Sequence, residues 1–177
     1  MRIISGKYRG KKLKEFNLDS TRPTTDRVKE SIFNLIQFDV LDSVCLDLFS
    51  GTGALGIEAI SRGAKTVHLI DKNKEAIKII RENLKGIEGD FKVFNADYLE
   101  FLNSASSKYD LIFLDPPYKT DFGINAIDYI VKLNLINKNG IIIFETSENR
   151  EFNFPVCFEV TKKKYGTVAV YKLMYKE

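Results

Sequence analysis

An α/β fold is predicted, with a mostly parallel sheet, helices on both faces and an antiparallel hairpin at the end. Three observations predict it. Short apolar runs alternate with segments of helical period through the middle of the chain. Gly51-Thr52-Gly53-Ala54-Leu55-Gly56 forms a G-x-G-x-x-G turn between one such run and the next helical segment. Near the C-terminus two strand-like runs follow each other with no helix between them. The chain has 177 residues, 44% hydrophobic and 29% charged, which suits one domain over 1–177 with a real core.

The elements are read in order. Residues 1 to 14 carry Arg2, Lys7, Arg9, Lys11, Lys12 and Lys14 without an acid, with Tyr8 between Gly6 and Gly10. A small basic arm or hairpin is expected over 1–20. Cations with an interleaved aromatic suit a nucleic-acid backbone and an unstacked base, and a solvated basic tail is the competing reading. Thr24 or Thr25 caps a helix that runs through Ile32, Phe33, Leu35 and Ile36, and Arg22 stands ahead of it on a proline-stiffened turn. Val44 to Phe49 reads as a buried strand, followed by the glycine turn and an apolar helix through Ile57, Ala59 and Ile60. A second strand covers Thr66 to Ile70 and ends in Asp71, about 20 residues after the first glycine. A helix follows over Lys74 to Leu84. The third strand spans Phe91 to Phe94 and leads into Asn95-Ala96-Asp97. The fourth is Leu111 to Leu114. A helix over Ile124 to Lys132 and a strand over Gly140 to Glu145 complete the alternation. Val156 to Thr161 and Thr167 to Leu173 are then expected to pair as a hairpin joined by Lys162-Lys163-Lys164-Tyr165-Gly166, adding an antiparallel strand at the sheet edge.

Several function classes are excluded. No apolar run approaches the length of a bilayer span, and Met1 to Gly6 is too short for a signal peptide, so cytoplasm is the expected location. The net charge of +3 does not by itself demand a polyanionic partner. Cys45 and Cys157 have no neighbour at metal-ligand spacing and read as buried free thiols, so no metal site is expected. His68, the single histidine, lies in a strand pattern and reads as a satisfied strand residue. Zinc chemistry and a Ser-His-Asp triad have too few ligands here.

The functional stretch is Leu111-Ile112-Phe113-Leu114-Asp115-Pro116-Pro117-Tyr118. Two prolines stop the strand and stiffen the turn that carries Asp115 and Tyr118. In an open α/β sheet that edge is where ligands bind. Asp47, Asp71 and Asp97 stand at the ends of the other three strands. A pyrophosphate would sit on the helix that follows Asp47, and this carboxylate repels it. That argues against a nicotinamide cofactor. S-adenosylmethionine carries an ammonium and a sulfonium and no phosphate, and the acids suit it. Asp47 then meets the methionine end. Gly51 and Gly53 let the backbone approach, with Phe49 and Thr52 beside them. Asp71 accepts from the ribose hydroxyls and Asp97 from the adenine amino group. Tyr98 or Lys72 flanks the ring.

Asp47-Leu48-Phe49-Ser50-Gly51-Thr52-Gly53, Asp71, Asp97 and Asp115-Pro116-Pro117-Tyr118, in this order, resemble class I S-adenosylmethionine-dependent amino-methyltransferases. Arg2-Ile3-Ile4-Ser5-Gly6-Lys7-Tyr8-Arg9-Gly10, Arg22-Pro23-Thr24-Thr25-Asp26-Arg27-Val28-Lys29-Glu30 and Lys164-Tyr165-Gly166-Thr167 narrow the resemblance to the bacterial RsmD family. Tyr8 stands where Trp is frequent in that family, which keeps an aromatic face. The resemblance implies a seven-stranded Rossmann-like methyltransferase fold and a monomer acting on ribosomal RNA or the small ribosomal subunit. The implied reaction is methylation of the exocyclic N2 of one guanine in 16S ribosomal RNA. It assigns Asp115 and the carbonyl of Pro116 as acceptors for the amino group, Pro117 as the turn and Tyr118 as the stacking ring. Arg2, Lys7, Tyr8, Arg9, Lys11, Lys12 and Arg22 would meet the RNA, together with Lys162 to Lys164. The same tetrapeptide also serves amino-methyltransferases acting on DNA adenine or protein glutamine. A non-catalytic RNA-binding assembly factor is the alternative of another class.

Overall fold

The computed structural model describes residues 1–16, 25–147 and 149–176. The arginine at 22 and the proline-stiffened turn around it lie outside these residues. The described chain runs α1 (Asp26–Leu35), β1 (Val44–Asp47), α2 (Ala54–Ser61), β2 (Thr66–Asp71), α3 (Lys74–Asn83), β3 (Asp90–Asn95), α4 (Tyr98–Ser104), β4 (Tyr109–Leu114), α5 (Phe122–Lys132), β5 (Ile136–Thr146), β6 (Phe158–Tyr165) and β7 (Val168–Tyr175). One seven-stranded sheet has the order β3-β2-β1-β4-β5-β7-β6. The first five strands pair in parallel, and β7 lies antiparallel between β5 and β6.

Alternation along the central strands fills both faces of the sheet. Cys45, Val67, Leu69, Leu111, Phe113, Ile141 and Ile143 join α1, α2 and α3 on one face. Leu46, Ile70, Ile112, Leu114, Ile142 and Phe144 join α4 and α5 on the other. His68 lies within the second layer, where its Nδ1 is 2.8 Å from the Tyr109 hydroxyl. It is a satisfied strand histidine, as its setting in the sequence predicts. Cys45 is buried and free, whereas Cys157 is free but only half-buried.

Several boundaries differ from the sequence reading by two residues or more. The helix α4 is an addition, capped by Asp97, whose side chain accepts from the Leu99 N–H. At seven residues it is too short to show a helical period. The strand β5 starts at Ile136 because its pairing with β4 jumps from Tyr109↔Ile136 to Leu111↔Ile141. The irregular residues include Asn137, whose amide donates to Asp110 Oδ1 at 2.7 Å. The lysines read as a hairpin connection belong to β6, and the turn falls at Gly166. An edge strand exposed along both faces carries no apolar alternation to betray it. β1 ends at Asp47, two residues early, as the chain bends into the glycine turn.

The arm is a docked hairpin. Its Ile3 N–H donates to the Lys11 carbonyl at 2.9 Å and its Gly10 N–H to the Ile3 carbonyl at 2.8 Å. Ile3 and Leu13 are buried in the first core layer. Gly6 has φ +86°, and a Cβ there would stand 1.8 Å from the Ser61 carbonyl oxygen, so only glycine permits this approach.

An ionic hub centred on the fully buried Glu58 and Lys29 fastens the arm and α1 to α2. Glu58 accepts from the Ile4 N–H at 2.9 Å and the Ser5 N–H at 3.0 Å. Lys29 Nζ stands 3.2 Å from it and Arg62 Nε 2.8 Å. Lys29 also donates to the Arg2 carbonyl at 2.6 Å. Burial lowers the Lys29 pKa, and the Glu58 carboxylate opposes that fall. Removing one partner of such a pair typically costs about 3–5 kcal/mol. Glu58→Ala strands two cations and two N–H groups, whereas Lys29→Met leaves Glu58 with Arg62 and both amides. Denaturant unfolding should therefore show a larger loss for Glu58→Ala than for Lys29→Met.

Candidate active site

Every parallel strand of this sheet points its carboxyl end at one edge, and a cavity of about 750 Å³ opens there. That volume accommodates a small organic ligand with most of its surface covered. Asp47, Asp71, Asp97 and Asp115 all line it. So do Phe49, Gly51, Thr52, Lys72, Tyr98, Pro116, Pro117 and Tyr118. Of the residues expected near the donor, Gly53 alone is absent from the lining. It is buried as the N-cap of α2, at φ +82°.

Backbone amides hold the acids in place. Asp71 accepts from the Gly51 N–H and the Asn73 N–H, each at 2.8 Å, one at either carboxylate oxygen. Gly51 has φ +55°, and a Cβ there would meet nothing within 4 Å, so this turn presents bare backbone to open space. Asp97 holds α4 by its cap bond and still lines the cavity. Asp47 is 1% exposed and forms the floor rather than the wall. Its Oδ2 accepts from the Gly56 N–H at 2.9 Å, which places the last glycine of the motif under the acid. Burial raises its pKa to about 7, the Gly56 amide opposes the rise, and the Asp115 and Asp71 carboxylates add to it. Burial also raises the Asp71 pKa, against the two amides and Lys72.

The walls are aromatic. The Phe49 and Tyr98 rings lie 5.2 Å apart, as do those of Tyr98 and Phe122, and the Lys72 ammonium stands 5.5 Å from the Phe122 ring. Phe122 opens α5 after a polar loop, and an aromatic at that helix start is its only trace in the sequence. Met1, Glu15 and Phe16 also reach the cavity. The arm therefore contributes to the pocket wall, a role that its basic composition conceals.

The loop after β4 is pinned. Pro116 is buried, while Tyr118 is 39% exposed at the rim. The Thr120 hydroxyl donates to the Pro117 carbonyl at 2.7 Å. Arg150, from the β5–β6 connection, donates to the Thr120 carbonyl at 3.0 Å and pairs with Asp121 at 2.9 Å. Its guanidinium also lies 4.7 Å from the Phe152 ring. Nothing in the sequence around Arg150 announces this contact, because it joins segments that only the fold brings together.

The tip of the basic arm lies away from the cavity. Lys7 pairs with Glu88 at 2.8 Å, and its N–H donates to the carbonyl of Ser61, the last residue of α2. Glu88 precedes β3. The arm's tip therefore lies at the amino-terminal edge of the sheet, opposite the cavity. Tyr8 packs against the first core layer, and its hydroxyl accepts from the Glu88 N–H at 2.8 Å. Arg2 pairs with Asp26, and Lys11 donates to the Lys85 carbonyl. Arg9 and Lys12 are exposed. Among the described residues no cluster of His, Cys, Asp or Glu could hold a metal, and no helix is long and apolar enough to cross a membrane.

Comparison with known proteins agrees with this arrangement. A family model described as conserved hypothetical protein 95 matches residues 1–174. A ribosomal RNA small subunit methyltransferase D of Haemophilus influenzae is 34% identical over 178 residues, covering 98% of this chain and 92% of the relative. The enzyme of the same name from Buchnera aphidicola is 38% identical, covering 99% and 91%. The solved structure of an Escherichia coli protein superposes with a TM-score of 0.88 at 30% identity, covering 99% of this chain and 98% of that one.

The raised Asp47 pKa has a sign that can be checked. The folded state holds a proton that the unfolded carboxyl, near the ordinary value of 3.8, has lost. The stability this gives is present below about 4 and is lost as pH rises to about 7. Asp47→Asn removes the titration and keeps an acceptor for Gly56. Thermal melts should show the wild type losing stability relative to Asp47→Asn across this window, by a few kcal/mol at most. A constant difference between the two would show that Asp47 is ionised throughout.

Proposed function

The chain belongs to the conserved hypothetical protein 95 family, the RsmD family, and we propose that it transfers a methyl group from S-adenosylmethionine to the exocyclic N2 of a guanine in small-subunit ribosomal RNA. One observation carries this reading. Four strand-end carboxylates and the rigid Asp115-Pro116-Pro117-Tyr118 loop share one cavity. The donor, when bound, supplies an electrophilic methyl on a sulfonium.

The chain's residues then have separable tasks. Each Asp71 oxygen already accepts one backbone amide and keeps outward lone pairs for the ribose hydroxyls. Asp97 accepts from the adenine amino group beside the Phe49 and Tyr98 rings. Asp47 attracts the donor's cationic end from beneath the floor. The cavity's acid-rich lining suits a cationic ligand and opposes a pyrophosphate. At the rim, the Asp115 carboxylate and the Pro116 carbonyl accept from the target NH2 and turn its lone pair toward the methyl. The carboxylate also stabilises positive charge as it develops on nitrogen. Tyr118 stacks on the base. A paired guanine hides its N2, so the target must be unpaired or extruded. No strong base is required, because the nitrogen becomes acidic once it carries four bonds.

Asp115→Ala should lower single-turnover transfer to ribosomal RNA on the order of a hundredfold or more while donor affinity by calorimetry holds. Asp115→Asn should recover part of the rate, since the amide oxygen still accepts. Wild-type transfer by Asp115→Ala would reduce the loop to a structural turn and defeat the proposal. Methylation of DNA adenine or a protein amide, with ribosomal RNA inert, would reassign the substrate. Arg150→Ala, which frees the loop without touching the base, should lower the transfer rate less than Asp115→Ala does. Arg150→Lys should not fully restore it, because an ammonium cannot lie flat against the Phe152 ring, as the guanidinium does, while it meets Thr120 and Asp121. Both arms are read as turnover number against RNA KM.

A further inference from the structure

We propose that the lysines of β6, Lys162, Lys163 and Lys164, form the surface that takes the RNA phosphate backbone beside the target base; this rests on the reading of the site as an RNA methyltransferase. Register places them. Leu114 pairs with Phe144, Phe144 with Tyr171, and Tyr171 with Lys162. Lys162 is therefore level with the residue that precedes Asp115. Lys163 and Lys164 continue toward the Gly166 turn at the same edge. Three strand spacings separate β4 from β6, which is roughly 14 Å. A nucleotide held at Asp115 would have its flanking phosphates within this reach.

Charge makes the placement meaningful. A cavity lined by four carboxylates repels a polyanion, so the cations that hold the RNA must stand beside it. The arm is a poor source. Lys7 and Lys14 pair with Glu88 and Glu82, Arg2 pairs with Asp26, and the tip lies at the far edge. The β6 lysines differ. All three are exposed, and among the described residues none is in an ion pair; Lys162 lies 5.2 Å from the Tyr171 ring. Their cross-strand neighbours, Tyr171, Val170 and Ala169, bring no anion. Because side chains alternate along a strand, Lys162 and Lys164 project to one face and Lys163 to the other, so a backbone lying along the exposed edge meets all three.

The test measures binding of full-length in vitro transcribed 16S ribosomal RNA against salt concentration, with methyl transfer and donor calorimetry in parallel. The variant is Lys162→Gln with Lys163→Gln and Lys164→Gln, which keeps polar side chains on the strand and removes their charge. Each phosphate contact contributes about 0.7 to 0.9 to the slope of log affinity against log salt, so the triple variant should flatten that slope by about two. RNA KM should rise at least tenfold, with donor affinity unchanged. The charge reversal to Glu at the same positions should deepen the loss. An unchanged slope in a folded triple variant would overturn the proposal and leave the lysines as guards against edge-to-edge strand pairing. A flattened slope from Arg9→Gln with Lys12→Gln, and none from the triple variant, would move the track to the arm and overturn it as well. Where the transcribed RNA is inert, small ribosomal subunits lacking the modification take its place; if the wild type neither binds nor methylates those, the underlying reading fails, which separates the two ideas.

Discussion

Parallel pairing on both sides of β1 is the constraint from which the site follows. Leu46 lies opposite His68 on one side and Ile112 on the other. Three strands are thereby locked in the same direction and nearly the same height. Once they are, Asp47, Asp71 and Asp115 must emerge at one edge, and β3 brings Asp97 beside them. Antiparallel pairing of any one strand would carry its acid to the far edge. The interior Ile, Leu and Phe residues that bury both faces thus also determine where the charges go.

Two buried carboxylates show how differently this fold treats charge. Glu58 meets two cations and two backbone amides, all within the chain. Its neutralisation is complete, and it ties three segments together. Asp47 has a single amide at Oδ2 and two carboxylates nearby. It is left in a state that an incoming cation relieves. Buried charge with internal partners serves architecture. Buried charge without an internal cation, at the floor of a cavity, marks a place for a ligand.

Cations are divided in a parallel way. Three of the arm's six cations, Arg2, Lys7 and Lys14, face acids of α1, of the segment before β3 and of α3, so the arm is held down electrostatically as well as by Ile3 and Leu13. Those of β6 face solvent at the edge where the cavity opens. Arg150 belongs to neither set, since it bridges the β5–β6 connection to the loop after β4 and steadies that loop. The N-terminal hairpin and the last two strands therefore make unequal contributions, the first walling the cavity and the second standing beside it at the end of the sheet.

Much of this was legible in the chain itself. The alternation of apolar runs and helical segments, the glycine turn and the paired prolines after Leu114 are local signals, and each maps to a local element. The acids at strand ends were legible because a strand's direction and end are local too. What the sequence could not express is how distant segments meet. Arg2, Lys7 and Lys14 in the arm looked available, yet they pair with Asp26, Glu88 and Glu82. Lys162 to Lys164 looked like a connection, because an edge strand open on both faces has no apolar period. Arg150 and Phe122 carry no local motif at all. Composition and period determine which elements form. Only packing decides which charges are paired and which face solvent, because pairing depends on distance in space and not on distance along the chain.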